Sequence, residues 1–242
     1  ANPQPVNELI GSAKGINPGR VVWIHDANAT DWAGPISGEY WFEHEQTDQA
    51  VVSKMMSRTI RALAGESTDE AAWDAIFRHF NQNHKGEDVG YTPGEKIAIK
   101  INHTLSFGSD PCTMDKTDAG WHQDPPFVDC IDNSPQLTIA LLKQLTEKAG
   151  IDPCDIAIGD PGRIMPNYWY NMVEPNCPNI VYLARVGGMG RTQSQWSSVQ
   201  LHWSDPCSAH LVGVMEQDHI LKLWVRINIY VYFLYRAILL YL

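Results

Sequence analysis

Four short β-rich runs recur along the chain, and the stretches between them carry helical spacing. The runs are RVVWIH (20–25), KIAIKIN (96–102), IAIG (156–159) and IVYL (180–183). Between the first two, residues 48–63 place Val51, Met55, Ile60 and Leu63 at near-helical spacing, and Gly65 stops the pattern. Thr68 or Asp69 then caps a second helix with Ala72, Trp73, Ile76, Phe77 and Phe80 on one face. Ser134-Pro135 pairs an N-cap with a first-turn proline and opens a third helix, which ends at Gly150. Its apolar stripe is Leu137, Ala140, Leu141 and Leu145. Strands separated by helices need crossover connections, and crossovers impose parallel pairing. We therefore expect an α/β fold: one domain over 1–219, with a mostly parallel sheet flanked by helices and long irregular loops at 27–47 and 103–133. Loops of that size in a compact domain are usually functional or tied down.

Parallel topology directs attention to the carboxyl ends of the strands, where open α/β sheets bind their ligands. Three polar clusters stand at such ends: His25 and Asp26, Lys100 and Asn102, Asp160 and Arg163. A lysine near the end of an interior strand must reach water, a carboxylate or an anionic ligand, because burying it unpaired is costly. Lys100 therefore binds a substrate anion, acts as a base with a pKa lowered by desolvation, or pairs with Asp160 as a structural bridge. Arg163 offers a two-pronged donor to a carboxylate, either a ligand's or that of Asp160. Asn102 orients the same ligand or caps a turn. The catalytic candidates are thus Lys100 and Asp160, and the substrate-binding candidates are Asn102, Arg163, His25 and Asp26.

Other constellations are weaker. His25 and Asp26, joined by His103, His122 and Asp124 from the long loop, would suit a metal, but their spacing matches no defined metal motif. No metal is assigned, and the cofactor is left open. The glycine cluster 187–190 before Arg191 either cradles phosphate or makes a hairpin turn, and the turn is the simpler account. Loop tryptophans (Trp32, Trp41, Trp121, Trp169, Trp203) either stack on a sugar or ring, or pack locally.

Composition excludes some classes. With 28 acidic against 18 basic residues the net charge is -10, so no nucleic-acid partner is expected. A chain of 242 residues that is 44% hydrophobic supplies a packed core and is not disordered. The last stretch, 220–242, departs from the rest: it has no Gly, Pro, Asp or Glu, and its charges are Lys222, Arg226 and Arg236. It is long enough to span a membrane, yet Arg226, Asn228 and Arg236 would be costly there. A buried helix or strand pair is a second account, and an aberrant tail from a frameshift or truncation is the third and favoured one. The five cysteines include no CxxC, and four adjoin proline. Loop cysteines of this kind suit disulfides in an exporting compartment, with Cys112–Cys130 as the first pair to expect, or else free thiols in a reducing cytosol. The chain opens at Ala1 with ANPQPVNE, so either a presequence has been removed or the chain is a fragment. An extracytoplasmic location is expected, with the cytoplasm as the alternative.

Several blocks of the chain resemble a known family. NPGRVVWIHDANATDW, TDQAVVSKMMSRTIRAL, GEKIAIKIN, SPQLTIALLKQLTEKAG and DIAIGDPGRIMP are similar to segments of the domain of unknown function 362, over roughly 15–170. A weaker similarity runs through RVGGMGRTQ and LHWSDP to about 219. Lys100 and Asn102 resemble the family's Lys-Pro-Asn motif, and Asp160 its Gly-Asp strand end. The family's members are mostly uncharacterised, and the resemblance implies its exported subgroup. Some members carry appended ferredoxin-like modules with 4Fe-4S clusters, but no cluster-binding cysteine motif is present here. The family's later Lys-x-His and Lys-Asn-x-x-Gly segments are also missing, with 220–242 in their place. That implies a C-terminally truncated or frameshifted copy.

Three functions compete at this stage. The first is an enzyme that binds a small anionic substrate at the strand ends. The second is a metal- or redox-associated protein built on His25 and Asp26. The third is a non-catalytic carbohydrate- or surface-binding module that uses its tryptophans.

Overall fold

The computed structural model describes residues 13–34, 39–103, 133–201, 212–215, 230–234 and 237–241. The protein is α/β, and its centre is a four-stranded parallel sheet. The strands of that sheet are β2 (Ile97–Lys100), β3 (Ile156–Asp160), β4 (Val181–Ala184) and β5 (Thr192–Gln193), in that spatial order. β3 is buried along its whole length, as an interior strand covered on both faces must be.

Three of the helices start where the sequence predicts, and the fourth, after β3, was not expected. α1 (Gln49–Ala64) starts at Asp48, whose carboxylate accepts from the Ala50 and Val51 N–H groups. It stops at Gly65, which adopts φ +83°. α2 (Asp69–Lys85) is capped by Thr68 and buries Ala72, Trp73, Ile76, Phe77 and Phe80. α3 (Pro135–Lys143) follows the Ser134 cap, and its last part is a wider π turn at Gln144–Lys148 rather than continued α-helix. The chain between β3 and β4 carries α4 (Asn167–Val173). Apolar side chains of all four helices join Ile97, Ile156, Ile158, Tyr182 and Ala184 of the sheet in one continuous core.

The first β run folds differently from the expectation. β1 (Val22–His25) pairs antiparallel with β9 (Ala237–Tyr241), which pairs antiparallel with β8 (Tyr230–Leu234). His25 and Asp26 therefore end a strand of this second sheet and not a strand of the parallel one. The physical reason is that an open strand edge is completed by whichever backbone is in register, and here the C-terminal hairpin supplies it. In its described part the 220–242 stretch is thus a strand pair. Among the described residues no helix is long and apolar enough to cross a membrane. A two-stranded antiparallel ribbon, β6 (Trp196–Leu201) with β7 (Val212–Met215), completes the strands.

Some further expectations resolve here. Trp169 lies on α4, not in a loop, and is 1% exposed. The 187–190 cluster is a tight turn closed by the Gly188–Arg191 bridge. Cys154 and Cys177 are free thiols, whereas Cys112, Cys130, Trp121, His122, Asp124 and Trp203 lie outside the described residues.

The tightest point of the sheet is Gly159. A Cβ built there would stand 1.9 Å from the Leu183 carbonyl oxygen of β4. That neighbour is backbone and cannot swing away. Gly159→Ala is expected to destabilise the protein by ~1–3 kcal/mol or more, read as a lower urea midpoint.

Candidate functional site

The site grows from one carboxylate. β3 ends in Asp160-Pro161-Gly162, and Asp160 closes its own turn by accepting the Gly162 N–H at Oδ1 (3.0 Å). Its other oxygen, Oδ2, accepts the His103 N–H at 3.0 Å and faces the Lys100 ammonium at 3.0 Å. Asp160 is only 6% exposed, so the ends of β2 and β3 are joined by a largely buried charge. Burial by itself would raise the pKa of this carboxyl. The His103 N–H, the Lys100 ammonium and the Gly162 N–H together hold it below the ordinary aspartate value.

Lys100 is the opposite partner, and 53% of its side chain is exposed. Its ammonium donates to the Ile101 carbonyl (2.5 Å) and to Asn102 Oδ1 (2.7 Å) as well as to Asp160. Those three acceptors fix the cation at one place on the rim. Asn102 is held in turn by a hydrogen bond from Asn133 Nδ2 to its carbonyl oxygen. Three of the predicted residues (Lys100, Asn102 and Asp160) are therefore in direct contact.

Arg163 follows on the same turn. Its N–H donates to the Asp160 carbonyl (3.2 Å), and its own carbonyl accepts the Arg185 N–H (2.8 Å). Arg185 is the exposed residue directly after β4, so the ends of β2, β3 and β4 bring Lys100, Arg163 and Arg185 to one rim. Sequence reasoning missed Arg185, although the rule that selected Asp160 applies equally to a residue that ends IVYLA. The Lys100 ammonium faces the engaged carboxylate, and the backbone places two further basic residues, Arg163 and Arg185, at the neighbouring strand ends.

His25 and Asp26 stand at the end of β1 of the antiparallel sheet, and both make local contacts. The His25 ring stacks on Trp23 at 5.7 Å, and Asp26 caps a short turn by accepting from the Asn28 backbone and side-chain nitrogens. Among the described residues no three His, Cys, Asp or Glu gather as a metal would require.

His103 takes a different role from the metal ligand weighed for it. It is 2% exposed, and its ring meets Trp169 edge-on at 5.2 Å. The His103 Nε2 and the Trp169 Nε1 are both buried and have no hydrogen-bond partner among the described residues. Burial, reinforced by the Lys100 charge and opposed by that of Asp160, pushes the His103 pKa down to about 4.

No family model, curated protein or solved structure matches the chain.

His103 makes stability depend on pH. Its folded pKa lies below the unfolded value of about 6.5, so the native state binds fewer protons than the unfolded chain in that interval. Its contribution is intact above pH ~6.5 and is lost as the pH falls toward about 4, by roughly 3 kcal/mol in all. Urea midpoints measured across this range are expected to fall with acidity in the wild type and to fall less in His103→Gln. Equal slopes would contradict the assignment.

Proposed function

We propose that the rim at the carboxyl ends of β2, β3 and β4 binds a small anionic ligand, a carboxylate or a phosphate, and that the chain is an enzyme or binding protein for such a molecule. The observation that carries this reading is the fixed, half-exposed Lys100 ammonium beside Asp160. The carboxylate is ionised and keeps the cation charged and in place. An arriving anion exchanges for the Ile101 carbonyl or Asn102 Oδ1, both of them neutral acceptors. An anionic acceptor adds Coulombic attraction to the ammonium that the neutral oxygens lack, so the exchange is favourable even though the ammonium is already satisfied. The Asp160 pair remains intact throughout.

In this reading Asp160 is chiefly the anchor of Lys100. A carboxyl held below its ordinary pKa is a poor proton donor at neutral pH and a weak base. If a reaction follows binding, Lys100 holds the substrate's negative charge, and Arg163 and Arg185 supply the positive field. The Lys-x-Asn and Gly-Asp strand ends that resemble the family with the domain of unknown function 362 are the two positions on which this site stands. The proposal includes membership of that family.

Calorimetric titration with inorganic phosphate and with citrate tests the site. At least one of the two is expected to bind, and Arg185→Ala is expected to weaken that binding about tenfold. Arg185 is exposed and outside the core, so this variant keeps the fold. Lys100→Ala is expected to abolish binding. Failure of both anions to bind the wild type, or unchanged affinity in both variants, would overturn the proposal.

A further inference from the structure

A second charged feature lies away from the strand ends. α1 and α3 flank a groove of about 430 Å³, and its floor and walls include Lys54, Arg58, Arg61 and Lys143. Lys54, Arg58 and Arg61 follow one another at i, i+4 and i+7, so they form a single stripe along α1. Lys148 stands at the far end, and the acidic residues of the lining are Asp69 and Glu147.

Two of the cations are already engaged. Arg61 faces Asp69 at 3.4 Å, and Lys148 pairs with Glu70 at 3.2 Å. Lys54, Arg58 and Lys143 form no ion pair among the described residues. Five basic residues against two acidic ones thus line one concave surface of a protein with net charge -10. A cleft with an excess of one sign of charge concentrates counter-ions.

The groove is also built, and this observation is independent of its charge. Residues 144–148 form a π turn, with the Ala149 N–H donating to the Gln144 carbonyl (3.0 Å). π turns are rare and occur often at functional sites. Gln144 is buried, accepts from Trp73 Nε1 (3.0 Å) and donates to Asp69 Oδ2 (2.9 Å). Asp69 Oδ1 in turn accepts the Ser57 hydroxyl (2.7 Å). The floor is therefore a connected network between α1, α2 and the π turn, which holds the walls in place.

From these features we infer that the α1–α3 groove is a binding site for a small polyanion carrying two or more phosphate groups. Lys54 and Arg58 are separated by about 6 Å along the helix axis, a spacing that suits neighbouring phosphates better than a single one. The groove is of small-ligand size. The acidic remainder of the surface disfavours an extended nucleic acid. This inference is independent of the strand-end site, since the two share no residue.

Calorimetric titration of the full chain with inorganic tripolyphosphate, and with orthophosphate for comparison, tests it. Tripolyphosphate is expected to bind at this groove at least tenfold more tightly than orthophosphate, with affinity falling as salt rises. The double variant Lys54→Ala/Arg58→Ala is expected to weaken it about tenfold or more, and Lys143→Ala to weaken it less. Lys54 and Arg58 are exposed, so the double variant keeps the core, which a circular dichroism melt verifies. Arg185→Ala is expected to leave tripolyphosphate affinity at the groove unchanged, which separates this groove from the strand-end site. Absence of tripolyphosphate binding, or the same affinity in the double variant, would sink the inference.

Discussion

The Asp160 carboxylate organises the centre of this protein. A nearly buried negative charge is tolerable only when its oxygens are fully engaged, and here two backbone N–H groups and an ammonium engage them. Each donor comes from a different place: His103 from the chain leaving β2, Gly162 from the turn after β3, and Lys100 from the last position of β2. The carboxylate therefore ties adjacent parallel strands together at the end where a ligand would arrive. It also fixes Lys100. Without that anchor, a lysine at this position would be one mobile cation among 18 basic residues.

Close packing supports the same region from below. Gly159, one residue before Asp160, lets β3 approach the β4 backbone at a distance that no side chain would permit. On the next layer His103 meets Trp169, and Trp169 meets Tyr182 edge-on. The helices add a second organised polar network, Trp73–Gln144–Asp69–Ser57, under the basic groove. In both networks buried polar groups find partners on separate elements of the fold.

Much of this was legible beforehand. The caps at Asp48, Thr68 and Ser134 are local devices, and each starts its helix where the side-chain chemistry says it should. The alternation in IAIK and the buried run IAIGD placed Lys100 and Asp160 at strand ends, and parallel pairing then put Lys100 opposite Gly159. Arg185 was readable by the same logic but was passed over. The pairing of β1 was not legible, because a four-residue strand carries no mark of its partner. For that reason His25 and Asp26 were expected at the end of a parallel strand and instead stand at the end of β1 of the antiparallel sheet. The π turn was equally invisible, since QLTEK continues the helical pattern of α3 without a break.

By itself, then, the amino-acid order determined the α/β class, the starts of the first three helices and the strand ends that carry Lys100 and Asp160, because capping, periodicity and parallel crossovers act over short distances or through strict topology. Tertiary structure alone decided which backbone completes β1, that His103 is buried against Trp169, and that cations on α1 and α3 share a groove. Those outcomes depend on which surfaces meet across long stretches of chain, and that choice belongs to the packing of the whole core.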